Sequence, residues 1–222
     1  RTNFTRYVGS GGNDRRSLGR AISGYVSGGV GGSRRAVQRM GSSRGTTARL
    51  ASFLSNVSNQ GAREALRALN LEALAGRPIE EIFLGLADYI CPESGTVDEG
   101  IAREAFIETV AELASLGMTD LDALTAVQMQ TVFELYAAHA IEARICNDIG
   151  SKSIMLPADI AAVERIQAQL KDFIRRGVSD AMTQARTDLK TLAPERVNGF
   201  VDTIYQAAFE ILQTMAEAVA KI

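Results

Sequence analysis

From residue 79 onward the chain repeats an apolar position every three or four residues. In IEEIFLGLADYI, residues 79–90, Ile79, Ile82, Phe83, Leu86 and Ile90 fall on one helix face, and Pro78 suits the first turn. Cys91-Pro92 and Gly95 break this helix. Thr96-Val97-Asp98-Glu99 is a capping-box pattern that opens the next helix, whose face carries Ala102, Phe106, Val110 and Leu113 and which stops at Gly117. Thr119 and Asp120 are expected to cap a long segment running to about Asn147 and ending near Gly150.

Pro157 is expected to begin a further helix reaching about Leu192, with Ile160, Val163, Ile166, Leu170, Phe173 and Ile174 inward and Gly177 as a kink or contact point. After Pro194, the positions Val197, Val201, Ile204, Ala208, Ile211 and Met215 alternate by four and three, an a/d-like seam. Two long helices joined by a short turn predict an antiparallel helical hairpin at the C-terminus. Strand patterns and hairpin turns are nearly absent. The expected fold is an all-α multi-helix bundle.

The first 50 residues read differently. Asn13–Ser27 predicts a short helix capped by Asn13 with Leu18, Ile22 and Tyr25 inward, although Gly19 and Gly24 each weaken it by about 1 kcal/mol relative to Ala. Residues 46–57 predict a firmer one with Leu50, Phe53, Leu54 and Val57 buried. Residues 28–33 and 41–45 read as flexible joints. Charge sharpens the division. Residues 1–52 hold ten Arg, no Lys, one acid (Asp14) and 11 of the 20 glycines, whereas the remaining 170 residues carry 14 basic and 25 acidic side chains. A flexible basic Gly/Ser/Arg-rich arm over 1–45 and an acidic helical body over 46–222 are therefore expected.

Most chemistries find no support in the residues. No apolar run approaches the roughly 18 residues that span a bilayer, and no signal-peptide pattern appears. Cys91 and Cys146 are 55 positions apart in a chain with no CxxC, which favours two buried thiols over a bridge, in a cytoplasmic protein. Without an export signal the sequons at Asn3 and Asn56 carry no meaning. The chain begins at Arg1 rather than Met, so the native terminus is expected upstream.

The glycine clusters are not phosphate loops. No Gly-Lys-Ser/Thr follows them, Lys152 is the first lysine, and the pairs Gly9/Gly11 and Gly29/Gly31 lead to Asp14 and Arg34 where a third glycine would stand. The single histidine, His139, shares a helix face with Glu142 and Cys146, but no second His/Cys pair stands at ligand spacing. A packed or surface His is the expected outcome, with no metal and no cofactor. Ser27 and Cys146 lie in no nucleophile elbow. Glu80-Glu81 and Asp98-Glu99 stand at helix N-termini, where the dipole favours them. No catalytic residue is expected, and the chain reads as a non-enzyme.

The arginines remain. Arg15, Arg16, Arg20, Arg34, Arg35, Arg39, Arg44 and Arg49 are candidate partner-binding residues. Phosphate contacts with Tyr7 or Tyr25 stacking on bases would make the arm a nucleic-acid accessory. A solvated terminus, an arm pairing with an acidic protein surface, and a transit peptide are the other readings, the last disfavoured by glycine density.

The stretch SRRAVQRMGSSRGTTARLASFLSNV, with GAREALRALNLEALAGRP and GTVDEGIAREAF within residues 33–114 and VDTIYQAAFEIL later, resembles the QatB family of the QatABCD bacterial anti-phage defence system. The resemblance implies a partner of a QueC-like enzyme (QatC), encoded beside an ATPase and a TatD-like nuclease, the other Qat components. It further implies that the N-terminal arm is the acceptor for a 7-deazaguanine-type nucleobase. The family's chains start Met-Gly, which this sequence lacks, so no modified residue is carried over. Nucleic-acid binding through the arm is the second reading, and no membrane partner is implied.

Overall fold

The computed structural model describes residues 2–92, 95–149, 159–186 and 188–221, and among them every regular element is helical. In chain order these are α1 (Thr2–Gly9), α2 (Arg15–Gly24), a π-helical turn (Tyr25–Gly29), α3 (Ser33–Arg39), α4 (Ser42–Gln60), α5 (Ala62–Arg67), α6 (Ile79–Ile90), α7 (Val97–Ser115), α8 (Ala126–Ile149), α9 (Ile160–Ala185) and α10 (Val197–Lys221). The expected stop at Gly150 and start at Pro157 lie outside the described residues. The backbone forms two compact units. One comprises residues 1–40, 141–185 and 203–222, the other residues 41–140 and 186–202, so α8 and α10 each contribute to both.

In the first unit, residues 2–40 correct the expectation of a flexible arm. Most of them are helical, and Tyr7, Ile22, Val26 and Met40 are fully buried. The Tyr7 hydroxyl donates to the Ile166 carbonyl at 3.3 Å and to Gln169 Oε1 at 3.2 Å, tying α1 to α9. Asp14, rather than Asn13, caps α2, accepting from the Ser17 amide at 2.9 Å. Gly12, at φ +83°, lies against α9, where a Cβ would come 3.2 Å from Ile166 Cγ1. Burial of this apolar set, worth roughly 1.5–3 kcal/mol per large side chain, outweighs the glycine penalties. Gly177 of α9 is a contact point: a Cβ there would stand 2.7 Å from Leu212 Cδ2 of α10.

The second unit is built on α4 to α7 and the first part of α8. Phe53, Phe83, Phe106 and Tyr136 form a chain of rings at 6.4, 5.9 and 6.3 Å, one ring from each of α4, α6, α7 and α8. α4 extends three residues beyond the C-terminal end of its expected span and starts four earlier, absorbing most of the joint at 41–45. The capping box at Thr96 and Glu99 is present. α8 starts later than the residues suggest. Thr125, not Thr119 or Asp120, makes the reciprocal pair, accepting from the Gln128 amide at 3.2 Å while its own amide donates to Gln128 Oε1 at 2.9 Å.

Two apolar patterns need correction. Ile160 is exposed, and the helix expected to reach Leu192 stops at Ala185, where Arg186 takes a left-handed φ of +48°. In α10 the buried stripe passes through Val197, Val201, Ile204 and Ala208, then shifts to Leu212 and Ala216, leaving Ile211 and Met215 at its edge. A straight helix of 3.6 residues per turn drifts by about 20° per heptad from a strict a/d seam.

Candidate functional site

The eight candidate arginines separate into two groups. Arg15, Arg16 and Arg20 stand on the exposed side of α2, and Arg34 and Arg35 on the first turn of α3. None of these five forms an ion pair among the described residues. Asp14, the lone acid of this stretch, is occupied: its Oδ1 accepts from the Ser17 amide and its Oδ2 from the Ser17 hydroxyl at 2.6 Å. Those bonds, with the charges of Arg16 and Arg20, hold its carboxyl below the usual range.

The other three arginines hold structure together. Arg44 Nε donates to Asp202 Oδ1 at 2.7 Å, with Nη2 on Oδ2, a two-pronged pair between α4 and the start of α10 in the second unit. Arg49 Nε donates to the Ile90 carbonyl at 2.8 Å. Arg39 Nε donates to Asp148 Oδ2 at 2.8 Å in the first unit.

That last pair belongs to a larger cluster. The Tyr25 hydroxyl donates to the same Asp148 oxygen at 2.9 Å, and Arg144 Nη1 lies 3.6 Å from Oδ1. Asp148 and Arg144 are both buried, with side chains 8% and 6% exposed, while Arg39 is 53% exposed. Burial pushes the Asp148 pKa upward, but hydrogen bonds from Arg39 and Tyr25 and the charges of Arg39 and Arg144 outweigh it and hold the carboxyl low. Tyr25 is driven the other way, by burial first and then by the neighbouring carboxylate. The arrangement locks the end of α2 and the end of α3 onto α8, leaving no proton poised for transfer.

His139 is buried and its Nε2 lies 3.0 Å from Glu112 Oε2, an α8–α7 contact within the second unit. Among the described residues no three His, Cys, Asp or Glu side chains gather as a metal site. Cys91 and Cys146 are both free thiols, Cys91 buried and Cys146 half-buried. Burial pushes the Cys91 pKa up to about 11, which keeps it protonated and a poor nucleophile at neutral pH. No helix is long and apolar enough to cross a membrane among the residues described.

What the geometry offers is thus two sets of exposed arginines, on α2 and at the start of α3, in a unit whose composition matches them. The first unit holds fifteen basic against nine acidic side chains, a net of +6, and the second nine against seventeen, a net of −8. The family model described as "Qat anti-phage system associated protein QatB" matches residues 31–212. The chain belongs to the QatB family. No curated protein and no solved structure matches it. The QatB match takes in α3 to most of α10, including Arg34, Arg35, Arg39, Arg44 and Arg49, while Arg15, Arg16 and Arg20 precede it.

Sequence reasoning named the arginines but missed Asp148 and Asp202, the acids that occupy two of them. Asp148 sits in the last turn of α8, between the buried Ile145 and Ile149, with no motif around it, and its partner Arg39 is 109 positions away.

Proposed function

We propose that this QatB-family member of an anti-phage system is non-enzymatic and binds a QueC-like enzyme, QatC, in the cytoplasm. In this reading residues 1–45 are the partner-facing segment and 46–222 the helical body. The N-terminal end of the segment is the substrate to which the enzyme joins a 7-deazaguanine-type nucleobase. The supporting observation is the set of five exposed arginines, Arg15, Arg16, Arg20, Arg34 and Arg35, with no ion pair among the described residues. Guanidinium groups left to water are ready to meet carboxylates or phosphates, and an enzyme handling ATP and a nucleobase presents both.

Deleting residues 1–45 would strip buried Tyr7, Ile22 and Met40 from the core, so the test uses surface substitutions. The five arginines are changed together to Ala, and co-purification with the QueC-like protein is measured beside Arg39→Ala. Lost capture with the five-fold variant and retained capture with Arg39→Ala is the expected result. Unchanged capture overturns the docking role. Incubation of the native chain with the enzyme and ATP should add the mass of the base to its N-terminal peptide, and an unaltered mass ends the substrate role. Binding to labelled DNA or RNA that weakens steeply with salt and depends on the same five residues would instead favour a nucleic-acid accessory.

A further inference from the structure

The outer side of α6 and α7, in the second unit, carries apolar surface among acids. The two helices run antiparallel: Phe83 stacks on Phe106 at 5.9 Å, and Arg103 donates from both Nη1 and Nη2 to Asp88 Oδ1 at 3.1 Å. That register brings Leu84 and Ile107 to neighbouring turns of the outer side, where they are 55% and 42% exposed. Glu80 stands one turn from Leu84, and Glu104 and Glu108 flank Ile107 in sequence. All three acids are exposed, and the ion pairs of this side are made instead by Glu81 and Asp88, with Arg77 and Arg103. We propose that this side receives a second copy of the chain, through the α2 arginines of that copy's first unit.

Spacing and charge carry the argument. Glu104 and Glu108 are one helical turn apart, a like-charge pair that is unfavourable on a helix, and no basic residue stands three or four positions from either on α7. Arg16 and Arg20 of α2 repeat the pattern with the opposite sign. They too are exposed and one turn apart, and no acid stands three or four positions from either. Packing α2 of one copy on α7 of another pairs the two repeats at matching spacing and relieves both repulsions. An arginine also suits the apolar floor, because its stem covers Leu84 and Ile107 while its guanidinium reaches a carboxylate. The net charges of the two units, +6 and −8, steer the encounter. Both halves of the contact are present in one chain, which favours a second copy over another basic protein. The contact joins two different surfaces, so the association is heterologous.

The test is sedimentation velocity of the full chain over a concentration series. At low ionic strength the mass should rise above that of one chain, and it should fall back at about 1 M salt, where the Debye length is about 3 Å. Arg16→Glu with Arg20→Glu, and Glu104→Arg with Glu108→Arg, should each weaken association about tenfold or more, because each sets like charges opposite one another. An equimolar mixture of the two reversed chains should associate again. All four positions are exposed, and circular dichroism checks that the helices persist. A chain that stays single at low ionic strength overturns the proposal, as does a mixture that fails to associate or association that the reversals leave unchanged. The proposal is separable from enzyme docking, because Glu104 and Glu108 lie outside the arginine set assigned to the QueC-like protein. Their reversal should abolish self-association and leave capture of that enzyme intact. A single-chain wild type whose capture is lost on the same reversal would assign this side to the enzyme and overturn the second-copy reading.

Discussion

Replacing Asp148 with Ala tests whether the Tyr25–Asp148–Arg39–Arg144 cluster anchors the N-terminal helices. The substitution leaves Arg144 buried without that carboxylate and removes the acceptor of the buried Tyr25 hydroxyl. Breaking a buried pair by deleting one partner typically costs about 3–5 kcal/mol. Arg39 adds little to this, because it is half-exposed and an ion pair of that kind is worth about 1 kcal/mol at most. The loss should thus be about 3 kcal/mol, which for a chain of this length lowers the melting temperature by roughly 6–12 °C. Urea unfolding and thermal melts followed by circular dichroism would measure it. Arg39→Ala should cost about 1 kcal/mol by the same assay.

pH supplies an independent check. The Asp148 carboxyl is held low in the folded protein, so its contribution is present above the usual carboxylate pKa of about 4 and is lost as pH falls through the lower folded value. The acid limb of stability should therefore flatten in Asp148→Asn. A loss below about 1 kcal/mol in Asp148→Ala, or an unchanged acid limb, would refute the anchoring argument.

Two further outcomes follow from packing and burial. Gly177→Ala gains about 1 kcal/mol of helix propensity but forces a methyl to 2.7 Å from Leu212, and overpacking costs about 1–3 kcal/mol, so urea melts should show it less stable than Gly199→Ala, whose Cβ meets nothing within 4 Å. Equal stability of the two variants would contradict the α9–α10 contact. Iodoacetamide should label Cys146 before Cys91 in the folded chain, because Cys91 is buried with its pKa raised to about 11, and peptide mass mapping would read the order.

Much of the helical body was legible in the residues. α6 matches its apolar pattern to the residue, and the Thr96–Glu99 box opens α7, because both signals are local. The N-terminal 40 residues were misread for the opposite reason. Glycine content and charge are local measures of flexibility, whereas Tyr7, Ile22 and Met40 are ordered by what they bury against, and Tyr7's partners are about 160 positions away.

The site shows the same division. Composition alone determined that ten arginines and one acid lie in the first 52 residues, eight of those arginines being the candidate site residues. Only the tertiary structure decided which arginines are available. Asp148 and Asp202 reach Arg39 and Arg44 across 109 and 158 positions, and Arg49 turns to a backbone carbonyl 41 positions on, leaving Arg15, Arg16, Arg20, Arg34 and Arg35 facing water. Spacing records helix faces because a helix repeats every 3.6 residues. It holds no comparable record of which distant acid the folded chain brings to a given base.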